Sequence, residues 1–519
     1  MGAATDAERL AIVFEDDEDL LREIVANEIP AASRGFVLDL TPSQLAEFLL
    51  RLHGVETLKR LSKAAFVEMG LDPPERWGNT QRTRDFVRAL GFSDAYLCVE
   101  TQREPFVDVL CPSPLPALHD YQRPVYENLL EALESGATRR LLTLPTGAGK
   151  TRVAIETIVA AMRRASERGE GRPRVVVWVA HTDELCEQAV TSWERVWSVC
   201  GVPGERLAVL RLWGGMQPKS VQRDRIVVVT TNVSLTDRAR GWLDQADILA
   251  IDEAHRSLAS TYRDAIRGIR PNTPLLGLTA TPFRGISDDA NDQLARLFDR
   301  EFVGHELSAD TLIRGGYLSH VVWETLEFPH IWKLDEAEQR HIAQFEEISA
   351  TLLSAIGANE DRNQLIIERV LRQSPRDKIM VFACNVAHAY QLNSLINIEA
   401  VKRGLAFEAA AITHETSSHF RRSAVERFSR ADSGLNVLVN VTTLTMGFDA
   451  PQTNVLIIAR PTFSPVLYQQ MVGRGLRGPL NGGTERCNIV NTIDNIGRFG
   501  ERLAFHELQR YWRTAVGEG

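Results

Sequence analysis

The chain has 519 residues, more than one hydrophobic core can organise, and this length suits about three domains of roughly 150 residues each. Apolar residues make up 44% of the sequence and charged residues 24%, which is typical of a soluble globular protein. The net charge of −9 excludes a globally basic nucleic-acid-binding protein, but it leaves open a motor whose positive charge is confined to a groove.

The cysteine pattern and the N-terminal residues indicate where the protein acts. The six cysteines are scattered without the CxxC spacing of a zinc or iron–sulfur site, which indicates reduced thiols. No apolar run approaches the ~18 residues of a membrane helix, and the acidic stretch Phe14–Leu20 stands where a signal peptide would be apolar. We therefore expect a cytoplasmic protein.

Residues 1–115 are predicted to form a mainly helical N-terminal domain. Thr41 and Pro42 have the residue types of a helix N-cap and a first helical position, and the Pro-rich stretch 111–116 is a natural domain boundary. This part carries 20 acidic against 12 basic side chains. We expect a regulatory or partner-docking domain, because its negative charge opposes general DNA binding.

One helix of this domain favours an alternative. Arg82, Arg84 and Arg88 fall within a single predicted helix, which could enter a DNA major groove. A solvated helix face explains the same pattern and is the preferred interpretation.

Beyond residue 115, short apolar runs alternate with helical patterns, which is typical of buried parallel strands in α/β domains. We predict two doubly wound parallel-sheet domains in tandem, at 116–305 and 361–519, joined by a helical connector at 306–360. The predicted strands of the first domain are 141–145, 174–180, 225–231, 247–252 and 275–280, and those of the second are 378–383, 408–413, 436–441, 454–459 and 487–491.

A phosphate-binding loop follows the first of these strands. Gly147 and Gly149 allow backbone N–H groups to turn towards phosphate oxygens, Lys150 can reach the β- and γ-phosphates, and the Thr151 hydroxyl can bind Mg²⁺. Leu144 stands where the strict GxxxxGK[ST] pattern has glycine. The predicted loop comprises Thr146, Gly147, Ala148, Gly149, Lys150 and Thr151.

Two adjacent carboxylates follow another predicted strand of the same domain. The stretch "DILAIDEAH" delivers Asp252 and Glu253 at a strand end, where α/β sheets bind ligands. Asp252 can hold Mg²⁺ through water, and Glu253 can orient and deprotonate an attacking water. An acidic helix cap is the alternative for this pair when it is considered alone.

Five ordered stretches carry a family resemblance. They are PTGAGKT (145–151), IDEAH (251–255), LTATPFR (278–284), TTLTMGFDAP (442–451) and QMVGRGLR (470–477). In this order they resemble the superfamily-two helicases of the DEAH-box type, close to restriction-enzyme motor subunits and bacterial repair or defence helicases. The resemblance covers about residues 116–495 and implies two RecA-like domains that bind ATP and Mg²⁺ between them.

The resemblance also assigns roles to individual residues. It implies that Gln122 reads adenine, and that Gly447 and Asp449 line the ribose side of the cleft. Coupling of hydrolysis to domain movement is implied for His255, Thr279 and Thr281. Contacts with the nucleic-acid backbone are implied for His181, Thr182, Thr231 and Asn232 in the first α/β domain and for Thr442 and Thr443 in the second.

The stretch QMVGRGLR is predicted to be helical, and its spacing would place Arg474 and Arg477 on one face. A surface helix could show this pattern without any function. The resemblance implies that Gln470, Arg474 and Arg477 reach across the cleft and stabilise charge on the γ-phosphate when the cleft closes.

The sequence thus favours an ATP-dependent DNA helicase or translocase. Thr279-Ala280-Thr281 replaces the Ser-Ala-Thr that is usual in RNA helicases, which favours DNA over RNA as the partner. Two alternatives stay open: an RNA helicase, and a nucleotide-gated nucleic-acid-binding module that signals to partner proteins. Protein partners are expected, a nuclease among the candidates, in bacterial DNA repair or anti-phage defence.

Overall fold

The structure is a computed structural model of the chain. It describes residues 5–29, 31–98, 105–109, 115–136, 139–171, 173–216, 221–235, 240–257, 260–280, 288–304, 307, 309–345, 347–431, 433–441 and 450–495.

The N-terminal part is helical, as predicted. Thr41 caps the third helix, and its side chain and that of Gln44 each accept a hydrogen bond from the backbone N–H of the other residue. The leucines and phenylalanines of these short helices form one apolar core. The helices are α1 (Asp6–Val13), α2 (Glu18–Glu28), α3 (Pro42–His53), α4 (Thr57–Leu61) and α5 (Gln81–Ala89).

The three arginines of α5 are engaged within this domain. Arg82 pairs with Asp72, Arg88 pairs with Asp94, and Arg84 donates to the side chain of Asn79. These contacts agree with the preferred interpretation of α5 as a solvated helix face.

The first α/β domain contains a sheet in which the strand order is β1-β4-β5-β3-β6-β7-β2-β8. Strand β1 runs antiparallel to β4, and the other pairings are parallel. The predicted boundary at residue 115 misses β1, a short edge strand. The strands are β1 (Phe106–Val109), β2 (Arg139–Thr143), β3 (Val175–Ala180), β4 (Leu207–Leu212), β5 (Arg225–Thr231), β6 (Ile248–Asp252), β7 (Leu275–Thr279) and β8 (Phe302–Val303).

Helices pack against this sheet in two apolar clusters. Its central strands are therefore buried along their whole length. The helices are α6 (Gln122–Glu134), α7 (Lys150–Glu167), α8 (Asp183–Cys200), α9 (Arg240–Leu243), α10 (Ser260–Gly268) and α11 (Asp288–Leu297). Helices α12 (Ala309–Arg314), α13 (Glu336–Phe345) and α14 (Ala350–Gly357) follow along the chain.

The second α/β domain has a parallel sheet of order β11-β12-β10-β13-β14-β9. Its edge strand β9 lies inside the stretch 306–360, so the prediction of a helical connector misses this strand. The strands are β9 (His320–Ile331), β10 (Lys378–Phe382), β11 (Glu408–Ile412), β12 (Leu435–Asn440), β13 (Thr453–Ile458) and β14 (Arg486–Asn495). The helices are α15 (Glu360–Leu371), α16 (Val386–Lys402), α17 (Ser418–Phe428) and α18 (Pro465–Val472).

The N-terminal domain docks on the second α/β domain, although the first α/β domain follows it in sequence. Ile398 and Val401 of α16 are buried in the apolar core of the N-terminal domain. Arg51 donates to the backbone oxygen of Phe407, next to the edge strand β11. The domain thereby covers an edge of the second sheet.

Among the described residues, no helix combines the length and the apolar character that crossing a bilayer requires.

Candidate active site

The loop between β2 and α7 has the geometry of a phosphate cradle. Gly147 and Gly149 have φ values of +85° and +82°, which glycine adopts without the strain that other residues would suffer. Helix α7 begins at Lys150, so its N-terminal N–H groups face the loop. A Cβ atom at Gly149 would lie 2.5 Å from Nε2 of Gln122, so close packing also requires glycine there.

Two residues at the start of α6 hold this loop in place. Gln122 is buried, and its Nε2 donates to the backbone oxygen of Ala148 at 3.0 Å. The Tyr121 hydroxyl donates to the same oxygen at 2.8 Å, and Oε1 of Gln122 accepts from the backbone N–H of His119 at 3.0 Å. Gln122 therefore supports the phosphate loop, and its expected contact with adenine stays a prediction.

The two predicted carboxylates lie at the end of β6, facing the same loop. Burial, together with the neighbouring Glu253, raises the pKa of Asp252 to about 7, and Lys150 opposes this rise. Burial also lowers the pKa of Lys150, against the attraction of both carboxylates. The site thus holds buried groups of both signs, an environment in which phosphate oxygens and a divalent cation would each meet the opposite charge.

Glu253 adopts φ = +54°, unusual for a residue with a side chain, and this turns it away from the line of the strand. Its Oε2 lies 3.3 Å from Nδ1 of His255, and the same nitrogen lies 3.2 Å from Oγ1 of Thr279. His255 and Thr279 are both buried. A continuous polar path therefore leads from Glu253 to the end of β7, and the coupling roles expected of His255 and Thr279 stay a prediction.

The second α/β domain presents two arginines towards the phosphate loop, but the predicted helix is too long. Helix α18 ends at Val472, Arg474 lies in the turn that follows, and Arg477 forms an isolated bridge with Leu318. The prediction of both arginines on one helix face is wrong, because the chain leaves the helix at Gly473.

The loop that carries Arg474 and Arg477 nevertheless contacts the phosphate loop. A Cβ atom at Gly473 would lie 2.3 Å from Cγ2 of Thr146, and one at Gly147 would lie 3.6 Å from Cγ of Arg477. The positive charge of Arg474 acts on Lys150 and lowers its pKa. Gln470 is buried, and its Nε2 has no hydrogen-bond partner among the described residues. These features fit a phosphate group bound between the two loops.

The residues predicted to contact nucleic acid in the first domain lie at neighbouring strand ends. Thr231 at the end of β5 is in register with Ala180 of β3, which places Asn232 beside His181 and Thr182. Thr182 caps α8 by accepting from the backbone N–H of Leu185. This is the carboxyl edge of the sheet, which also carries the phosphate loop. Outside the described residues lie Thr281, Thr442, Thr443, Gly447 and Asp449.

One group of residues at the cleft was not predicted from the sequence. Nε2 of His119 lies 2.9 Å from Oδ1 of Asn481 across the two domains, and the ring of Tyr317 packs on His119 and Tyr121. No local pattern connects His119 with Asn481, since 362 positions separate them in the sequence.

Two family models match consecutive parts of the chain. The model described as "Type III restriction enzyme, res subunit" matches residues 115–284, and the model described as "Helicase conserved C-terminal domain" matches residues 361–478. Together they span more than half of the sequence, in the order of the two α/β domains. The chain belongs to the superfamily-two helicases of the restriction-enzyme-motor type.

Individual relatives of this superfamily-two chain are distant. A Saccharomyces cerevisiae protein that bears the name ATP-dependent helicase IRC3 is 22% identical over 386 residues, which cover 73% of this chain and 52% of that protein. A 51.5 kDa protein of a Lactococcus phage is 25% identical over 337 residues, which cover 65% of this chain and 62% of that protein. The chain thus spans between about half and three-fifths of the length of these relatives.

Solved structures share the fold of this superfamily-two core. A fragment of an HsdR subunit of a type I restriction enzyme from Vibrio vulnificus matches with a TM-score of 0.52 and 20% identity, over 74% of this chain and 65% of that one. The type ISP restriction-modification enzyme LlaBIII, solved bound to DNA, matches with a TM-score of 0.50 and 17% identity, over 73% of this chain and 28% of that one. The two α/β domains are therefore tandem RecA-like domains, as predicted.

Proposed function

We propose that the chain is a nucleic-acid-dependent ATPase that hydrolyses ATP between its two RecA-like domains and thereby moves along DNA, unwinding it. This proposal rests on the contact between two loops that belong to different domains. Gly473 and Arg477 of the second domain pack against Thr146 and Gly147 of the phosphate loop. Hydrolysis at this point requires both domains, so it can report whether the cleft is closed.

The nucleotide would occupy the phosphate loop, with its triphosphate at the N-terminus of α7 and the Lys150 amine on the β- and γ-phosphates. Thr151 and Asp252 are the residues that would hold Mg²⁺. When bound, the ion neutralises charge that develops on the phosphate oxygens. Gln122 and Tyr121 keep the loop ready by binding the Ala148 oxygen.

Glu253 is the proposed base. Its carboxylate takes a proton from a water molecule, the water oxygen attacks the γ-phosphorus, and the bond from that phosphorus to the bridging oxygen breaks. Arg474 and Arg477 stabilise the charge on the transferred group, as arginine fingers do. A guanidinium from the other domain reaches that charge only in the closed cleft.

Coupling to nucleic acid would run through the strand ends of the sheets. His255 and Thr279 connect Glu253 with the end of β7, while His181 and Asn232 lie at the neighbouring ends of β3 and β5 on the same edge. A strand held along this edge by both domains would shift when the cleft closes and opens. Repetition of this cycle is translocation.

DNA is the proposed partner. The family model of a restriction-enzyme subunit and the likeness to an enzyme solved on DNA support DNA over RNA. Thr279-Ala280-Thr281 points the same way. The likeness to restriction enzymes favours anti-phage defence, while a role in bacterial DNA repair rests on the resemblance of the sequence motifs. In either role we propose a protein partner such as a nuclease.

The direct test is an ATPase assay with single-stranded DNA, double-stranded DNA and RNA. We expect DNA to stimulate turnover, and we expect the gain to fall as salt rises, because phosphate contacts release counterions. Lys150→Ala should abolish turnover, since the loop loses its only cation at the phosphates. Lys333→Ala changes an exposed lysine and serves as the matched control.

Each outcome decides between the alternatives. Stimulation by RNA alone would favour an RNA helicase. Absence of turnover with every nucleic acid would favour a nucleotide-gated binding module. Wild-type turnover in Lys150→Ala would mean that the nucleotide binds elsewhere.

A further inference from the structure

Four side chains meet at the margin of the cleft, next to the phosphate loop, and of these only Tyr121, which holds that loop, has a place in the proposed function. His119 and Tyr121 belong to the first α/β domain, while Tyr317 and Asn481 lie on the side of the second. We call these four residues the cleft clamp. Nε2 of His119 and Oδ1 of Asn481 are 2.9 Å apart, within hydrogen-bonding distance across the domains.

Aromatic packing reinforces this hydrogen bond. The ring centroid of Tyr317 lies 4.9 Å from that of His119 and 4.6 Å from that of Tyr121, both in tilted arrangements. Tilted ring pairs of this kind add to the stabilisation that comes from buried apolar area. Nδ2 of Asn481 donates to the backbone oxygen of Tyr317 at 2.8 Å, which fixes the amide and leaves Oδ1 to face His119.

On the side of the first domain, the clamp connects directly to the phosphate loop. The Tyr121 hydroxyl donates to the backbone oxygen of Ala148, whose own side chain is fully buried. Burial raises the pKa of Tyr121 to about 12, so its hydroxyl keeps the proton that this bond requires. A displacement of the Tyr121 ring would therefore also displace the phosphate loop, which would carry the triphosphate.

On the side of the second domain, the clamp connects to the loop that carries Arg477. Leu318 and Arg477 form an antiparallel bridge, and the backbone N–H of Gly478 donates to the Tyr317 oxygen at 3.1 Å. Ser319 is buried, and its backbone N–H donates to the backbone oxygen of Leu476 at 2.9 Å. The Ser319 hydroxyl donates to the backbone oxygen of Arg477. Tyr317 and Asn481 thus share one rigid segment with the proposed arginine finger.

We propose that the cleft clamp positions the Arg477 loop on the phosphate loop, and that the contact between His119 and Asn481 makes cleft closure favourable before nucleic acid is bound. This inference rests on the proposed function. Asn481 and His119 act here as positioning residues, because the proposed chemistry assigns neither of them a contact with the phosphates or the attacking water. The clamp would set how much ATP the protein hydrolyses without DNA.

Loss of the cleft clamp should lower the population of the closed state. Each variant makes the closed state less favourable, so hydrolysis without DNA falls with the closed population. DNA binding contributes its own free energy to closure and offsets the loss. A lost hydrogen bond of this kind corresponds to about a threefold to tenfold change in an equilibrium constant.

The experiment measures kcat and KM for ATP, with and without saturating double-stranded DNA, in the full chain. We expect Asn481→Ala and His119→Ala each to lower kcat without DNA by about threefold to tenfold, and to leave kcat with DNA near the wild-type value. The double variant should match the single variants, because both remove the same contact. Tyr317→Ala should also lower kcat without DNA. Tyr317→Phe keeps the ring and should therefore have the kcat of the wild type without DNA.

Leu480→Ala is the matched control, because Leu480 lies on the same turn and exposes 57% of its surface. An equal fall of kcat with and without DNA would overturn the clamp, since a general loss of structure has that effect. Wild-type kinetics in the Asn481 and His119 variants would overturn it too, as would multiplied effects in the double variant. Turnover that survives Lys150→Ala would instead contradict the proposed function, so the two failures are distinguishable.

Discussion

Gly473 lies where the second domain meets the phosphate loop, and its missing side chain is a requirement of that contact. A Cβ atom there would stand 2.3 Å from Cγ2 and 2.5 Å from Cβ of Thr146. The backbone of Gly473 is helical, with φ = −57°, so its dihedral angles do not require glycine. The next-nearest atom to the added Cβ would be the backbone oxygen of Gln469, at 3.0 Å. The two shortest contacts are with Thr146 of the other domain, so the glycine is needed above all for the approach of the two domains.

Gly473→Ala should prevent full cleft closure while both domains keep their folds. We expect kcat to fall by about 100-fold, because displacements of the order of 1 Å at a reacting centre have effects of this size. Nucleotide affinity should change little, since the phosphate loop is intact. Fluorescent-nucleotide titration and a turnover assay measure the two quantities.

Gly171→Ala is the control for this substitution, because among the described residues beyond its chain neighbours no atom lies within 4 Å of the position that a Cβ atom would take there. A wild-type kcat in Gly473→Ala would show that hydrolysis does not need this approach.

At the level of single residues, the sequence predicted the groups that local spacing defines. The phosphate loop and the carboxylates Asp252 and Glu253 follow buried strands, and the structure brings them together for that reason. The contact of His119 with Asn481 could not be predicted, because it depends on how two domains pack. Nor could the sequence show that the Gln122 amide would be engaged by the Ala148 oxygen.

At the level of elements, continuous apolar runs predicted the central strands, since both faces of such strands are buried. Strand β9 was missed because polar residues interrupt its sequence, as is common at a sheet edge. Helix α18 was predicted too long, because helical spacing continues in the sequence beyond Val472 while the chain turns. Tertiary contacts at Gly473 and Arg477 decide where that helix ends.

Helix α16 contains a buried histidine, His388, whose ring nitrogens both have hydrogen-bond partners. Nδ1 of His388 accepts from the backbone N–H of Cys384 at 3.1 Å, and Nε2 lies 2.9 Å from Oδ1 of Asn363. The ring must be neutral to accept at Nδ1. Burial, with a smaller effect of Arg362, lowers the pKa of His388 to about 3.

The stability of the second domain should therefore fall as the pH falls below about 6.5, the ordinary pKa of histidine. Between that value and the folded pKa of about 3, the unfolded chain binds a proton that the folded domain does not. Each pH unit in this window costs up to about 1.4 kcal/mol. Hydrogen exchange of the β10 amides measures the effect.

His388→Gln should flatten this dependence on pH, even if it lowers stability at neutral pH. His320→Gln, at the exposed start of β9, is the matched control. The same slope in wild type and His388→Gln would rule out His388 as the acid-sensitive group.

At the scale of the whole molecule, the N-terminal domain is built onto the second RecA-like domain. Glu56 accepts a hydrogen bond from the Ser417 hydroxyl at 2.6 Å, and Lys402 lies over the ring of Phe36. The two should move as one body when the cleft opens. The predicted regulatory role stays a prediction, and this docking gives it a physical route, because a partner bound to the N-terminal domain would act on the second domain.

Ile398→Asp should release the N-terminal domain, because it places an unpaired charge in the shared apolar core. We expect limited proteolysis between the N-terminal domain and β1 to be faster than in the wild type. Glu399→Ala, the next residue of the same helix, is the control, since Glu399 pairs with Arg403 outside this core. Equal cleavage rates in Ile398→Asp and the wild type would mean that the docking contributes little.

The central claim is that one hydrolysis site is assembled from two domains. It is tested most directly by single-turnover ATP hydrolysis in Arg474→Ala and Arg477→Ala with saturating DNA, beside Arg486→Ala, an exposed arginine, as control. We expect a fall of roughly 10³-fold in the hydrolysis rate for the first two variants, with little change in nucleotide affinity. Wild-type rates in both would contradict it, because hydrolysis would then proceed within the first domain alone.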